Sequence, residues 1–264
     1  MRDKRGFIAL SSALVLACLL GLWQAIIWIN HLPSYILPGP LGVAETIAMR
    51  YRSLLNSLWI TTEEAAGGLA ASVVTGLAIA MVFAQWRWLR QTLYPYTILL
   101  QTVPIVAIAP LVIFWIGPGI FAVTVVTFII CLAPIIANTT QGLISVDENL
   151  VNLFVIYDAS PAQMLFKLRL PNALPSFFTG LRIAAGISVI GGITGELFAG
   201  STSVGEGGLG YAMIYANNQM ETSYLFALVF AATVLGFSFF FVVMFLEWLA
   251  LHNWHESSRP QLSE

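Results

Sequence analysis

Six apolar blocks, each near the length that crosses a lipid bilayer, dominate this chain: residues 7–29, 65–84, 93–115, 120–137, 178–199 and 224–249. A helix needs about 20 apolar residues to cross the ~30 Å hydrocarbon layer. Each block is therefore read as one membrane-spanning helix, and residues 1–264 as a single all-α membrane domain. Charge supports this. Only 9% of the residues are charged and mean hydropathy is +0.85, against about 25% charged residues in a soluble domain. The net charge of −2 gives no reason to expect nucleic acid as a partner. The first block follows Met-Arg-Asp-Lys-Arg, as a signal peptide would. It is longer than a signal core of roughly 7–15 residues, and no small-residue cleavage site follows it.

The segments between the blocks carry their own signals. Pro33, Pro38, Gly39 and Pro40 open a connection in which Val43, Ile47, Tyr51 and Leu54 recur at helical spacing. That pattern predicts a short amphipathic helix at the interface. Residues 57–64 form a polar lead, read as helical, with Glu63 and Glu64 held near the headgroups. Residues 85–91 set Arg87 and Arg90 among Trp86 and Trp88, a basic loop with aromatic anchors at headgroup level. Gly117-Pro118-Gly119 predicts a tight turn, and Pro104, Pro110 and Pro134 predict kinks inside spans. Cys18 and Cys131 fall in apolar runs and read as buried small residues, with no disulfide or metal site implied.

The longest polar interruption, Ser145–Pro175, reads as a built surface of two short helices joined at Asp158-Ala159-Ser160. Ser145 with Glu148, and Ser160 with Gln163, have the spacing of capping boxes. Pro161 stands at a first helical position, where a missing N–H costs nothing, and Pro171 and Pro175 are expected to end the second helix. Its centre, including Leu153, Phe154 and Ile156, is too apolar for a solvated linker. Charge gives the orientation. With both termini in the cytoplasm, nine of the 11 basic residues lie inside, among them Arg87, Arg90, Lys167, Arg169 and Arg182. Only Arg50 and Arg52 lie outside. Ser145–Pro175 then faces the cytoplasm.

Several motifs in order carry a family resemblance. They are LPGP at 37–40, QTVPIVAIAPLVIFWIGPG at 101–119, NTTQGL at 138–143, LRLPNALP at 168–175, GELFAG at 195–200 and GLGY at 208–211. The chain resembles the permease subunits of bacterial type I ABC importers, in the nitrate, sulfonate and taurine branch. That branch also carries thiamine-pyrimidine precursors and riboflavin. GGITGELFAG, GLGY and TVPIVAIAPL look more like the pyrimidine and riboflavin members. The family's loop motif (Glu-Ala-Ala, three residues, Gly, nine residues, Ile, one residue, Leu-Pro) places Leu-Pro on Leu170-Pro171 and Ile on Leu168. Its Gly falls on Asp158 and its Glu-Ala-Ala on Asn152-Leu153-Phe154, so the first half departs from the pattern. An Asp tolerates the left-handed conformation that such a glycine supplies.

The resemblance implies a six-span permease fold whose loop is a coupling helix docked on an ATPase subunit. On this chain that helix draws on Asn152, Asp158, Ala159, Ser160, Gln163, Leu168, Leu170 and Pro171. It also implies a second permease copy, an extracytoplasmic solute-binding protein and a multi-pass location in the bacterial inner membrane. ATP and Mg²⁺ belong to the partner ATPase, and this chain binds no cofactor. Residues Gly180, Ala184, Ser188, Gly191, Gly195 and Ala199 form a small-residue stripe. Such a stripe packs tightly within one subunit, or lines a path, or meets a second subunit. Ser188, Gly191, Gly195, Glu196, Gln101 and Asn138 are accordingly candidates for the path. For Glu196 the competing reading is a hydrogen bond to a neighbouring loop.

The chain has no Gly-x-x-x-x-Gly-Lys-Ser/Thr loop, no His-Glu-x-x-His and no Gly-x-Ser-x-Gly elbow, and no catalytic or metal residue is assigned. A secondary transporter would need an inverted repeat with matched broken helices. A membrane hydrolase would need a base at depth, and His31, His252 and His255 lie outside the blocks.

Overall fold

The computed structural model describes residues 2–199 and 207–252, with backbone alone at 2–10, 12 and 13. Residues 200–206 and the tail after His252 lie outside the described residues, and the rest of the Gly- and Ser-rich stretch expected as a loop over 200–223 contains the helix Leu209–Asn218. Every described element is helical: α1 (Arg2–Ile29), α2 (Pro40–Met49), α3 (Tyr51–Gln85), α4 (Arg87–Thr102), α5 (Ile105–Ile116) and α6 (Ile120–Ile144). There follow α7 (Glu148–Ile156), α8 (Pro161–Met164), a π turn (Leu165–Arg169), α9 (Leu170–Ala199), α10 (Leu209–Asn218) and α11 (Thr222–Leu251).

Four described helices are long and apolar enough to cross a membrane: α3, α6, the α8–α9 rod and α11. A fifth crossing exists if α4 and α5, bent 98° at their joint, count as one, and α1 adds a shorter apolar segment at Leu14–Ile29. The block expected as a straight span over 93–115 is thus an elbow. Pro104 has no N–H to continue the ladder, and it holds Val103 extended at ψ 123°. Pro110 and Pro134, read as kinks, stay inside continuous helices. The basic loop at 85–91 shrinks to one residue. Trp86 alone separates α3 from α4, and Arg87 is already helical.

The core is the trio α3, α6 and α9, brought close by residues with little or no side chain. α9 runs antiparallel to α6, with Gly180 against Pro134 and Asn138, Gly191 against Thr127 and Ile130, and Gly195 against Val123. α3 runs parallel to α6, with Gly68 at Thr127 and Gly76 at Ile135. A Cβ at Gly191 would stand 2.8 Å from Ile130 Cγ2. Without a hydrophobic drive between helices in lipid, such close approach is what makes them associate. Buried polar groups bind across the seams. Ser72 Oγ donates to Phe128 O at 2.8 Å, and Cys131 Sγ donates to Ala184 O at 3.4 Å. Cys131 is buried as expected, whereas Cys18 is exposed on α1.

The predicted amphipathic helix is α2. Val43 and Leu54 are buried in one cluster with Tyr224, Leu228 and Leu235 of α11, and Ile47 packs against it, while Tyr51 is exposed. Gly117 (φ 94°) and Gly119 (φ 131°) make the expected turn between α5 and α6. Two ion pairs join distant segments. Arg50 pairs with Glu221 through two hydrogen bonds, one of 2.7 Å, which ties the α2–α3 joint to the α10–α11 joint. That bond holds the guanidinium above its ordinary value, so the tie keeps its charge. Arg182 makes the second ion pair. Its Nε lies 3.3 Å from Glu247 of α11, and the two charges satisfy each other.

Candidate functional site

Three places in the fold gather the candidate residues. The first is the loop between α6 and α9. Ser145 does not cap α7. Its N–H bonds Gln141 O and its hydroxyl donates to Gly142 O, so it closes α6. Asp147 is the N-cap of α7 and accepts from the Asn149 N–H at 2.7 Å. The second capping box forms as its spacing predicts. Ser160 Oγ accepts the Gln163 N–H at 3.2 Å, and Gln163 Oε1 accepts the Ser160 N–H at 2.8 Å.

At the end of α7, the Asp158 N–H bonds Val155 O and the Ala159 N–H bonds Phe154 O. This is the Schellman arrangement, with Asp158 as the left-handed residue at φ 49°. Asp158→Gly removes the Cβ strain and is expected to raise the stability of the turn by about 1 kcal/mol. Transport should be retained, and thermal unfolding in detergent reads the gain. A lower midpoint would mean that the Asp158 side chain does something the backbone does not require.

Pro171 and Pro175 do not end the second helix. The turn ahead of Pro171 widens to i→i+5, with the Leu170 N–H on Leu165 O, and the helix runs on to Ala199. This extra residue per turn absorbs the donor that Pro171 lacks. Leu168 and Leu170 are half-buried on this segment, whereas Asn152, Asp158, Ser160 and Gln163 are exposed. Beside them stand Ile156 at 77% exposure, Tyr157 at 78% and Phe166 at 60%, an apolar patch at a polar end of the molecule. Arg169 Nη1 donates to Ala84 O at 2.6 Å. It caps the C-terminal carbonyls of α3, where a cation suits the helix dipole. The sequence reading counted Arg169 only as an inside charge.

The second place is at the opposite end. Glu196, 3% exposed, latches the start of α10. Its Oε2 accepts the Gly210 N–H, and its Oε1 accepts from Thr61 Oγ1 at 2.6 Å. Thr61 Oγ1 in turn accepts the Leu209 N–H at 2.8 Å, and Ser57 donates to Gly207 O at 2.9 Å. A carboxylate at a helix N-terminus satisfies free N–H groups and meets the positive end of the dipole. The glycines of GLGY are there for room. A Cβ on Gly208 would fall 2.7 Å from Thr61 Oγ1, and one on Gly210 2.9 Å from Glu196 Cβ. Glu64 is buried inside the bundle. It is 3% exposed beside Glu196, and its Oε2 has no hydrogen-bond partner among the described residues, whereas Glu63 is exposed.

The third place is a cavity of about 260 Å³ at the elbow. It lies between α4–α5 on one side and α6 and α9 on the other, with Gln101, Ile108, Ile130, Pro134, Ile183 and Ile187 among its walls. The path candidates therefore separate. Gln101 lines this cavity. Asn138 is half-buried against Gly180, with its Nδ2 on Pro134 O at 2.8 Å. Ser188, Gly191 and Gly195 are buried in the α6–α9 seam, and Ser188 Oγ donates to Ala185 O at 2.9 Å. Glu196 is in the latch. Among the described residues no cluster of His, Cys, Asp and Glu could hold a metal ion.

The chain belongs to the family described as the binding-protein-dependent transport system inner membrane component, which it matches over residues 72–249. A probable ABC transporter permease protein of Haemophilus influenzae is 32% identical, covering 92% of this chain and 96% of its own length. The formylaminopyrimidine transport permease protein ThiX of Halalkalibacterium halodurans is also 32% identical over the same shares, 92% and 96%. The riboflavin transport system permease protein RibX of Chloroflexus aurantiacus is 31% identical over 94% and 91%. The chain is thus an ABC transporter permease of the inner membrane. ATP hydrolysis resides in a separate subunit of this family, and a binding protein is its other partner.

Proposed function

We propose that the chain, as a homodimer with both termini in the cytoplasm, forms the path of an ATP-driven importer for a small planar nitrogen heterocycle. Thiamine-pyrimidine precursors and riboflavin are the two classes proposed. The observation that carries the substrate class is the match, above 90% of the chain, to relatives named for formylaminopyrimidine and for riboflavin. Relatives named for aliphatic sulfonates and for taurine reach 28% and 27% over 83% and 84% of the chain. The same machinery carrying a sulfonate, taurine or nitrate is the second reading.

In this mechanism a solute-binding protein delivers substrate at the end that carries α10. ATPase subunits, holding ATP and Mg²⁺, grip α7, α8 and the π turn at the other end. Their closure moves the loop, and the loop moves the core through two attachments, the continuous α8–α9 rod and the Arg169 bond to α3. The nucleotide can drive this only because the two conformations bind the closed ATPases with different affinity. The elbow cavity, with Gln101 as its polar group, is the segment of the path inside one protomer.

The test is uptake into proteoliposomes holding the permease, its ATPase and its binding protein. Labelled formylaminopyrimidine, riboflavin, taurine and nitrate are offered in turn. Uptake of one heterocycle, dependent on ATP, is expected. Uptake of taurine or nitrate alone would replace the substrate class, and uptake without ATP would replace the importer reading.

A further inference from the structure

We infer that the chain carries a binding slot for one anionic phospholipid of the leaflet at the α7 end. The slot is the groove between α3, α4 and α6, with a volume of about 660 Å³. Its walls are apolar: Ala78 and Val82 of α3, Leu93 and Leu100 of α4, Leu132 and Ile136 of α6. Tyr96 and Thr97 also line it, but the Thr97 hydroxyl is spent on Tyr94 O at 2.7 Å, and an alkyl chain matches the rest of the lining.

Its length fits one leaflet. α4 lines the slot from Leu89 to Leu100, a rise of about 16 Å at 1.5 Å per residue. Half of the ~30 Å hydrocarbon layer is roughly 15 Å. Beyond Thr102 the chain turns by 98° at Pro104, so the slot is roofed near the bilayer midplane. Two crossing helices would normally bury such a face against a full-length neighbour. Here α4 stops halfway and leaves room for a chain of half-membrane length.

Cations flank its near end. Arg87 and Arg90 stand on the first turn of α4 to either side of Leu89, which lines the slot, and neither guanidinium has a hydrogen-bond or ion-pair partner among the described residues. No side chain caps that helix start, so backbone N–H groups there also lack acceptors from the chain. Trp86 and Trp88 are 53% and 65% exposed on either side, at the level where indoles meet headgroups. A phosphodiester above a slot of acyl-chain length satisfies all three features together.

The full-length permease, equilibrated in mixed micelles with equimolar dioleoyl-phosphatidylglycerol and dioleoyl-phosphatidylcholine, tests this by native mass spectrometry of retained lipid. Preference for the phosphatidylglycerol on the order of tenfold is expected from two guanidinium contacts. Arg87→Gln with Arg90→Gln should abolish the preference, and the corresponding double Lys variant should keep it. Ala78→Phe, which fills the groove, should lower retention of both lipids. Soluble glycerol phosphate, the headgroup without its chains, should not compete. Equal retention by the wild type, or preference surviving the double Gln variant, would overturn the slot. A photo-crosslinker at Leu93 that joins two permease chains instead of a lipid would do the same. If the double Gln variant does not fold, Arg90→Gln alone should lower the preference, and an unchanged ratio would count against the proposal.

Discussion

Ile156→Glu or Ala159→Glu is expected to abolish ATP-driven uptake while the permease still inserts at the wild-type level. Ile156 is 77% exposed and touches little of its own chain, so the substitution costs the isolated subunit almost nothing. In the assembled transporter the same side chain would be buried against the ATPase, and an unpaired buried charge costs about 3–5 kcal/mol. That corresponds to a loss of ATPase affinity of at least 100-fold. Ala159 sits in the turn between the Schellman end of α7 and the capping box of α8, where a long charged side chain has the same effect. Leu168→Glu belongs to the same series, although its half-buried position adds a folding cost. Asn149→Ala is the control, since Asn149 uses its backbone N–H in the cap and not its side chain. Co-purification of the ATPase with tagged permease measures the outcome. Full ATPase recovery with Ile156→Glu and with Ala159→Glu would remove the docking role from this loop.

Glu196→Leu should cost about 1–3 kcal/mol of stability, because it strands the buried Gly210 N–H and takes from the Thr61 hydroxyl the shorter of its two acceptors, leaving it Ser57 O at 3.1 Å. Glu196→Gln keeps one carbonyl acceptor and should cost less than half of that. Gly208→Ala attacks the same latch from the other side, by driving a methyl group towards Thr61 and Glu196. Cys131 is buried, so its labelling by a thiol-reactive dye on heating, in a Cys18→Ser background, reports opening of the core. If Glu196→Leu and Glu196→Gln shift the labelling midpoint equally, the hydrogen bonds to α10 are not what Glu196 contributes.

Much of this architecture could be read from residue type and spacing. The apolar blocks, the Gly117-Pro118-Gly119 turn, the capping box at Ser160 and the left-handed Asp158 are local features, and local chemistry decides them. Other expectations failed where a competing local bond or a distant partner decides. Ser145 has the spacing of a capping box, but its backbone is already committed to α6 and Asp147 takes the cap. Of the four prolines in the apolar blocks before the loop, Pro95, Pro110 and Pro134 stay inside helices and only Pro104 breaks one. The α6–α9 seam holds the helix straight around Pro134, whereas the elbow opens onto a cavity. Glu64 and Glu196 are 132 positions apart in the chain, and only the antiparallel packing of α3 and α9 brings them together. The same holds for Arg182 and Glu247.

The π turn at Leu165–Arg169 sets the angular phase of the molecule. A helix advances about 100° per residue, so closing that wide turn into an ordinary one would rotate α9 by about that angle relative to the loop. Gly180, Gly191 and Gly195 would then face away from α6, and bulkier side chains would take their places in the seam. The small-residue seam forbids that rotation, and the wide turn is the gear offset that lets loop and seam each keep their own facing. In the proposed mechanism, force applied to α7 and α8 would then tilt α6 and α9 as one body rather than twist α9 about its axis.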